Sequence, residues 1–287
     1  MTTQEILGGI VIAILVIGVI FAAVSPIVSP IVPPEFLEER KPVITEETLG
    51  LATVPGVTLV NLNLTIKAGG VEVNFTSDDN LIYKFRFEQD ENVTAPTVQY
   101  GSVSEGVLPV SVFAETADLY ATFGSGCTYN GTLRVGVGGL SVVLSEDSHV
   151  DNFSAIAMYV GGLSVEVLDD ASFNQLNLRI VAGALRLRVD ANSLEKNGRI
   201  SARIEVGVFF VEPISAGPNL GVSLLAFADM GGITLNPGAF VVEKETDREC
   251  RIRTTNYPAS INLDIDIFVG LGLGMINSPT PMPTFAQ

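Results

Sequence analysis

The residues that could do chemistry are few and lie far apart in the sequence. The only histidine, His149, stands in an acidic turn, and no second histidine is present for acid–base catalysis or for metal binding. The glycine-rich segment 124–127 has no recognisable catalytic partners and is typical of a turn. No Gly-x-Ser-x-Gly, phosphate-binding loop or His-Glu-x-x-His pattern occurs. We therefore expect no enzyme activity, and a hydrolase built on a β scaffold is an alternative without support.

Acidic pairs recur at polar turns and are the remaining candidates for a metal site. They are Asp78-Asp79, Asp90-Glu91, Glu146-Asp147 and Asp169-Asp170. Calcium prefers clustered oxygen ligands, which stacked turns could supply. However, the sequence has neither an Asp-x-Asp-x-Asp-Gly loop nor a Gly-Gly-x-Gly-x-Asp repeat. We expect solvated turns, no cofactor and no metal, with calcium as the alternative.

The charge balance excludes one class of partner. The 287 residues include 32 acidic and 16 basic side chains, which give a net charge of −16. Such a chain repels the phosphates of nucleic acid and of anionic lipid. We expect the acidity to keep a surface rich in glycine and valine soluble.

Glycosylation motifs after an apolar leader indicate an exported protein, in which cysteines can form disulfides. The two cysteines, Cys127 and Cys250, fit no metal-binding spacing, so a disulfide between them is the leading prediction and two buried free thiols are the alternative. Five Asn-x-Ser/Thr motifs occur, none interrupted by proline, and they predict a glycosylated head. Their asparagines are Asn63, Asn74, Asn92, Asn130 and Asn152.

An uncharged apolar stretch at residues 6–32 is long enough to cross a membrane as a helix. Together with the proline-rich segments and the alternating pattern of the remaining chain, this stretch predicts four segments. These are a hydrophobic N-terminal helix at 1–32, a proline-rich charged linker at 33–45, a β-rich extracellular head at 46–276 and a proline-rich tail at 277–287.

In this sequence Glu5 precedes an unbroken apolar run, and these N-terminal residues resemble those of type IV pilins, here of an archaeal filament. The resemblance implies a helical homopolymer whose helices form the core, and it implies insertion in the cytoplasmic membrane before assembly. Glu5 would then pair with the α-amino group of a neighbouring subunit, although Thr2 and Glu5 also have the spacing of a helix capping box. Gly8, Gly9 and Gly18 would permit close helix packing.

The pilin resemblance also implies a place and a role. It implies an extracellular filament on the cell surface that adheres to cells or to abiotic surfaces. The alternative is a single membrane-anchored surface adhesin, or a protein associated with an S-layer.

The head carries a repeat in which alternating apolar runs flank a glycine pair or its substitute. The leading glycines lie at 138, 161, 183, 207 and 231, which gives steps of 22 to 24 residues. Such regular spacing predicts stacked units, each of two strands meeting at a glycine corner. An earlier copy at Gly69-Gly70 lies out of phase upstream.

The repeats at about 130–240 resemble glycine-punctuated β-solenoid domains of bacterial and archaeal cell-surface adhesins. A two-sheet sandwich of long hairpins is the alternative head. The predicted fold class is therefore mainly β, with one long N-terminal hydrophobic helix.

The last strand of the head has an unusual glycine face. Apolar residues alternate through 261–273, and Gly270, Gly272 and Gly274 occupy the opposite face of its second half. A bare face suits close packing against another backbone. We expect this strand to close the sheet of its own head, with addition to a neighbour's sheet edge as the alternative.

Overall fold

A computed structural model describes residues 42–212, 214–236 and 240–276, and these form an all-β fold. The predicted fold class with a long N-terminal helix is wrong, because the described residues contain only strands and their connections. In β2, buried and more exposed side chains alternate along the strand. This period of two is that of a β-strand, whereas a helix would show a period of 3.6 residues. No described helix is long and apolar enough to span a membrane. Residues 1–32 and 277–287 lie outside the described residues.

Fifteen strands build the fold. They are β1 Val43–Gly50, β2 Leu59–Thr76, β3 Leu81–Gln89, β4 Thr97–Tyr100, β5 Val107–Thr116, β6 Asp118–Gly124, β7 Thr128–Leu144, β8 His149–Leu168, β9 Ser172–Ala191, β10 Gly198–Val211, β11 Ser215–Ala216, β12 Leu220–Leu235, β13 Val241–Glu245, β14 Glu249–Arg253 and β15 Ile261–Ile276.

Seven long strands form a parallel stack in the order β2-β7-β8-β9-β10-β15-β12. Antiparallel strands flank it at both ends, with β3 and β1 beyond β6, and β14 and β13 beyond β12. These antiparallel strands cover the open edges of the parallel stack. Alternate side chains of every long strand point into one continuous core, which contains the leucines of successive repeats in register.

A column of seven glycines runs across the stack at the bend of each long strand. In register order they are Gly69, Gly138, Gly161, Gly183, Gly207, Gly272 and Gly231. A Cβ atom on Gly207 would lie 1.8 Å from the carbonyl oxygen of Gly183, and each glycine in the column meets the preceding corner in the same way. The backbones therefore approach too closely for any side chain at this position.

The first corner of the stack explains why an eighth glycine is not needed. β5 and β6 together form a further copy of the repeat, because both pair in parallel with β2 and meet at Ala117. A Cβ atom on Gly69 would lie 2.0 Å from the carbonyl oxygen of Ala117. Beyond Ala117 lie the antiparallel strands β3 and β4, so its own Cβ meets no parallel corner. The sequence pattern missed this copy since its corner is alanine.

The stacking order corrects the predicted head. Successive repeats do not simply follow one another, because β15 inserts between β10 and β12. The central strands are parallel, which a sandwich of antiparallel hairpins does not allow, and the insertion departs from a solenoid wound in chain order. The copy at Gly69-Gly70 is in register with Gly138-Gly139, although its sequence spacing is irregular. The expectation that β15 closes the sheet of its own head is confirmed.

Candidate functional site

A groove follows the glycine column on its C-terminal side, and we call it the glycine trough. Its floor consists of two rows in register across β2, β7, β8 and β9. The first row is Gly70, Gly139, Gly162 and Ala184, and the second is Glu72, Ser141, Ser164 and Arg186. The groove is open to solvent and has a volume of about 410 Å³, within the range of ligand sites.

The floor glycines differ from the corner glycines in what they do for the fold. A Cβ atom on Gly139 or on Gly162 would meet no atom within 4 Å, and neither residue has a positive φ. A larger side chain would therefore fit the backbone but would project into the trough. The open floor, and not the chain path, is what these two glycines provide.

Aromatic side chains stand at both ends of the trough. Tyr120 on β6 neighbours Glu72, and Phe210 on β10 neighbours Arg186. Tyr120 is 38% exposed and Phe210 is 36% exposed, so both rings are open to a ligand. Five strand spacings of about 4.8 Å separate β6 from β10, which makes the trough about 24 Å long.

The Tyr120 end of the trough is acidic. Asp118 accepts a hydrogen bond from the Gly70 N–H at 2.6 Å, and the Arg86 guanidinium lies 5.3 Å from the centre of the Tyr120 ring. The carboxylate of Glu88, followed by burial and the carboxylate of Asp118, raises the pKa of Tyr120. The phenol therefore stays protonated and able to donate a hydrogen bond at neutral pH.

The opposite end carries a basic group that is held in place. The Arg186 Nε donates to Glu212 Oε1 at 2.5 Å, which fixes the guanidinium beside Phe210. Ser141 and Ser164 supply hydroxyl groups between the two ends. The floor strands use their backbone groups in the parallel ladder, so a ligand would be bound by side chains and not by strand addition.

Sequence reasoning did not find the trough. A signal was present, because the first glycine of each pair is constant while the second is replaced by Ala184 and Val208 in two copies. That difference separates a residue that the backbone requires from one that it does not. The aromatic ends gave no local signal, since register alone brings Tyr120 and Phe210 to the same groove.

The predicted assembly residues Glu5, Gly8, Gly9 and Gly18 lie outside the described residues. The predicted glycosylation sites are distributed over the head, and their use stays a prediction. Asn63 and Asn74 lie on β2, Asn130 on β7 and Asn152 on β8, whereas Asn92 lies in an exposed turn after β3. The Asn74 Nδ2 donates to Glu72 Oε1 at 2.7 Å.

The predicted disulfide is not formed, and the alternative of two buried free thiols applies. Cys127 precedes β7 and Cys250 lies on β14, and both thiols are free. Six strand spacings separate β7 from β14 along the sheet, about 29 Å, whereas a disulfide needs Cα atoms within about 7 Å.

The buried thiol of Cys250 predicts a pH dependence of stability. Burial, followed by the Glu245 carboxylate, raises its pKa from 9.0 to about 11. The unfolded chain releases this proton first, so the stability that Cys250 contributes is full below about pH 9 and is lost as the pH rises toward 11. Urea unfolding should show that wild type loses more free energy of unfolding over this interval than Cys250→Ala does. Equal losses would contradict the prediction.

The acidic turn at Asp169-Asp170 is hydrogen-bonded to the neighbouring polar turn at Asn192-Ser193. Asp169 accepts a hydrogen bond from the Asn192 side chain at 3.0 Å, and hydrogen bonds from Asn192 lower its pKa. His149 begins β8 and lies 3.9 Å from Glu195. Within residues 42–212, 214–236 and 240–276, no three His, Cys, Asp or Glu side chains are grouped to hold a metal ion.

Comparison with solved structures places the fold. A candidate cell adhesion protein of Clostridium sporogenes superposes with a TM-score of 0.51 at 16% identity, over 82% of this chain and 99% of that one. A candidate adhesin of Bacteroides fragilis has a TM-score of 0.32 at 12% identity, over 83% of this chain and 98% of that one. No protein-family model and no curated protein matches the sequence. The predicted adhesin-like head is confirmed as a shared fold with the clostridial protein, and the pilin resemblance gains no support from these structures.

Proposed function

We propose that this chain is a cell-surface adhesion protein whose β head binds an extended polysaccharide in the glycine trough. The glycine trough is the main support for this proposal. Two of its floor residues are glycines that the backbone does not require, and their lack of a side chain keeps the groove open. The clostridial protein with the same fold is described as a candidate cell adhesion protein, which supports the same role and a cell-surface location for this chain.

The chemistry of the trough favours a sugar polymer over a peptide. Sugar rings present apolar C–H faces that stack on aromatic rings, and Tyr120 and Phe210 offer such rings at the two ends. The hydroxyl groups of the sugar would form hydrogen bonds with Glu72, Ser141 and Ser164 along the floor. An extended peptide would need free main-chain partners, which the paired floor strands do not offer.

Blocking the trough tests this function. Gly139→Gln and Gly162→Gln should each weaken binding of the full-length protein to cell-wall polysaccharide by at least about tenfold, because the new side chain fills the groove. The measurement is retention on polysaccharide-coated beads, with circular dichroism to verify the fold.

The matched control is Gly232→Gln. Gly232 occupies the same position of the repeat on β12, beyond the Phe210 end of the trough, and its Cβ would make an ordinary contact at 3.5 Å with the Asp247 carbonyl oxygen. This variant should bind as wild type does. Equal retention of all three variants would remove the trough from the proposal, and retention of none of the proteins, wild type included, would remove polysaccharide adhesion.

The filament subunit remains a finer prediction. It rests on Glu5 and the apolar stretch at 6–32, which lie outside the described residues, and the shared fold fits a surface adhesin better. Electron microscopy of purified material would decide between them, since helical filaments are required for the first and absent for the second.

A further inference from the structure

A second groove lies on the other arm of the bent strands, before the glycine column. It crosses β9, β10, β15 and β12, and it encloses about 560 Å³. Its lining combines Arg199, Arg203 and Asp266 with the rings of Phe227 and Phe268. It shares no lining residue with the glycine trough.

One arginine of this face has no polar side-chain partner among the described residues. Three arginines lie in a single register row across β7, β9 and β10. Arg134 donates to Asn63 Oδ1 at 3.1 Å, and Arg179 donates to Glu205 Oε1 at 2.6 Å. Arg203 forms no side-chain hydrogen bond or ion pair with any residue that the structure describes. Its charge is therefore available to an external anion.

The row continues from Arg203 into an aromatic shelf. Phe268 and then Phe227 are its next neighbours, on β15 and β12. The Arg203 guanidinium lies 5.2 Å from the centre of the Phe268 ring, and the two rings stack with centres 5.7 Å apart and planes at 18°. Phe227 is 38% exposed. Phe268 therefore lies between the Arg203 guanidinium and the Phe227 ring, and Phe227 offers the exposed aromatic surface of this row.

The net charge of the protein limits which anionic ligands this groove can bind. A net charge of −16 repels a dense polyanion, but a single free arginine can pair with a single carboxylate. The aromatic shelf suits the C–H face of a sugar ring, and Ser201 and Asn177 in the lining can bond to hydroxyl groups. We propose that this groove binds a saccharide that carries one uronic acid, with the carboxylate on Arg203 and a sugar ring on the exposed side of Phe227.

This site is independent of the trough. The trough would bind a sugar polymer through residues on the C-terminal side of the glycine column. The second groove would bind a carboxylate through Arg203 on the N-terminal side of the column. Either site can therefore fail in experiment without affecting the other.

The test is calorimetric titration of the full-length protein with cellobiouronic acid and with cellobiose, which lacks the carboxylate. Wild type should bind the acid at least about tenfold more tightly than cellobiose, since a charge-assisted hydrogen bond is lost with the neutral sugar. Arg203→Gln should abolish this difference. Arg134→Gln, which removes an arginine of the same row that already has a partner, should preserve it.

A second variant tests the aromatic contact separately from the charge, with circular dichroism to verify that each variant is folded. Phe227→Ser should weaken both sugars together, because it removes the shelf and keeps the cation. Equal affinity of wild type for the two sugars, or an unchanged preference in Arg203→Gln, would overturn the proposal. Binding lost equally in Arg134→Gln and Arg203→Gln would overturn it as well, since it would assign the effect to net charge.

Discussion

Gly207→Ala should destabilise the head by about 3 kcal/mol or more, the sum expected for a strained φ and an overpacked contact. Gly207 has a φ of +153°, and its new Cβ would lie 1.8 Å from the carbonyl oxygen of Gly183. Neither strand can move away without breaking the parallel ladder on both sides. Thermal unfolding should show the loss as a midpoint lower by roughly 6–12 °C for a domain of this size.

Two other substitutions test whether close approach is the cause. Gly162→Ala lies one position after a corner, has room for its Cβ and should leave stability unchanged or raise it by about 0.4–1 kcal/mol. Ala117→Gly should lower stability by about 0.5–1 kcal/mol, because the first corner already accommodates a side chain. If Gly207→Ala were as stable as wild type, or if all three behaved alike, the column would not be a close backbone contact.

Phe209→Ala should cost about 3–5 kcal/mol, the range expected for removal of a fully buried phenylalanine ring. Phe209 is fully buried, and its ring lies over Gly274 of the neighbouring strand. A Cβ atom on Gly274 would lie 2.1 Å from the ring. The ring thus fills the volume that the glycine leaves, and urea unfolding would measure the cost of the cavity.

The contact between Phe209 and Gly274 predicts that a second substitution at 274 restores part of the stability lost in Phe209→Ala. Gly274→Val alone should be destabilising because it clashes with the ring, but in Phe209→Ala it should recover about 1 kcal/mol or more by refilling the space. The matched comparison is Gly198→Val in Phe209→Ala, since Gly198 contacts a different ring, that of Phe173. Additive losses at 209 and 274 would contradict the direct contact.

Local sequence patterns predicted the strands but not the candidate sites. The alternation and the glycines at 138, 161, 183 and 207 were sufficient to predict stacked repeats, because in this part of the stack each neighbour follows after a short connection. The prediction was wrong where one stretch of apolar residues decided the fold class, and where two distant cysteines were paired without knowledge of the register. Neither the apolar pattern of a segment nor the presence of two cysteines indicates how far apart residues lie in the folded chain.

By itself, the sequence determined the acidic charge, the alternating strands, the corner glycines and the lack of catalytic motifs. The tertiary structure alone decided that β15 lies between β10 and β12, which places Gly272 in the glycine column and Phe268 beside Arg203. The physical reason is that joining distant segments costs little more than joining near ones, since the entropy of loop closure grows slowly with length. Strand order is therefore set by which edges fit, and the groove at Arg203 and Phe268 depends on the insertion of β15.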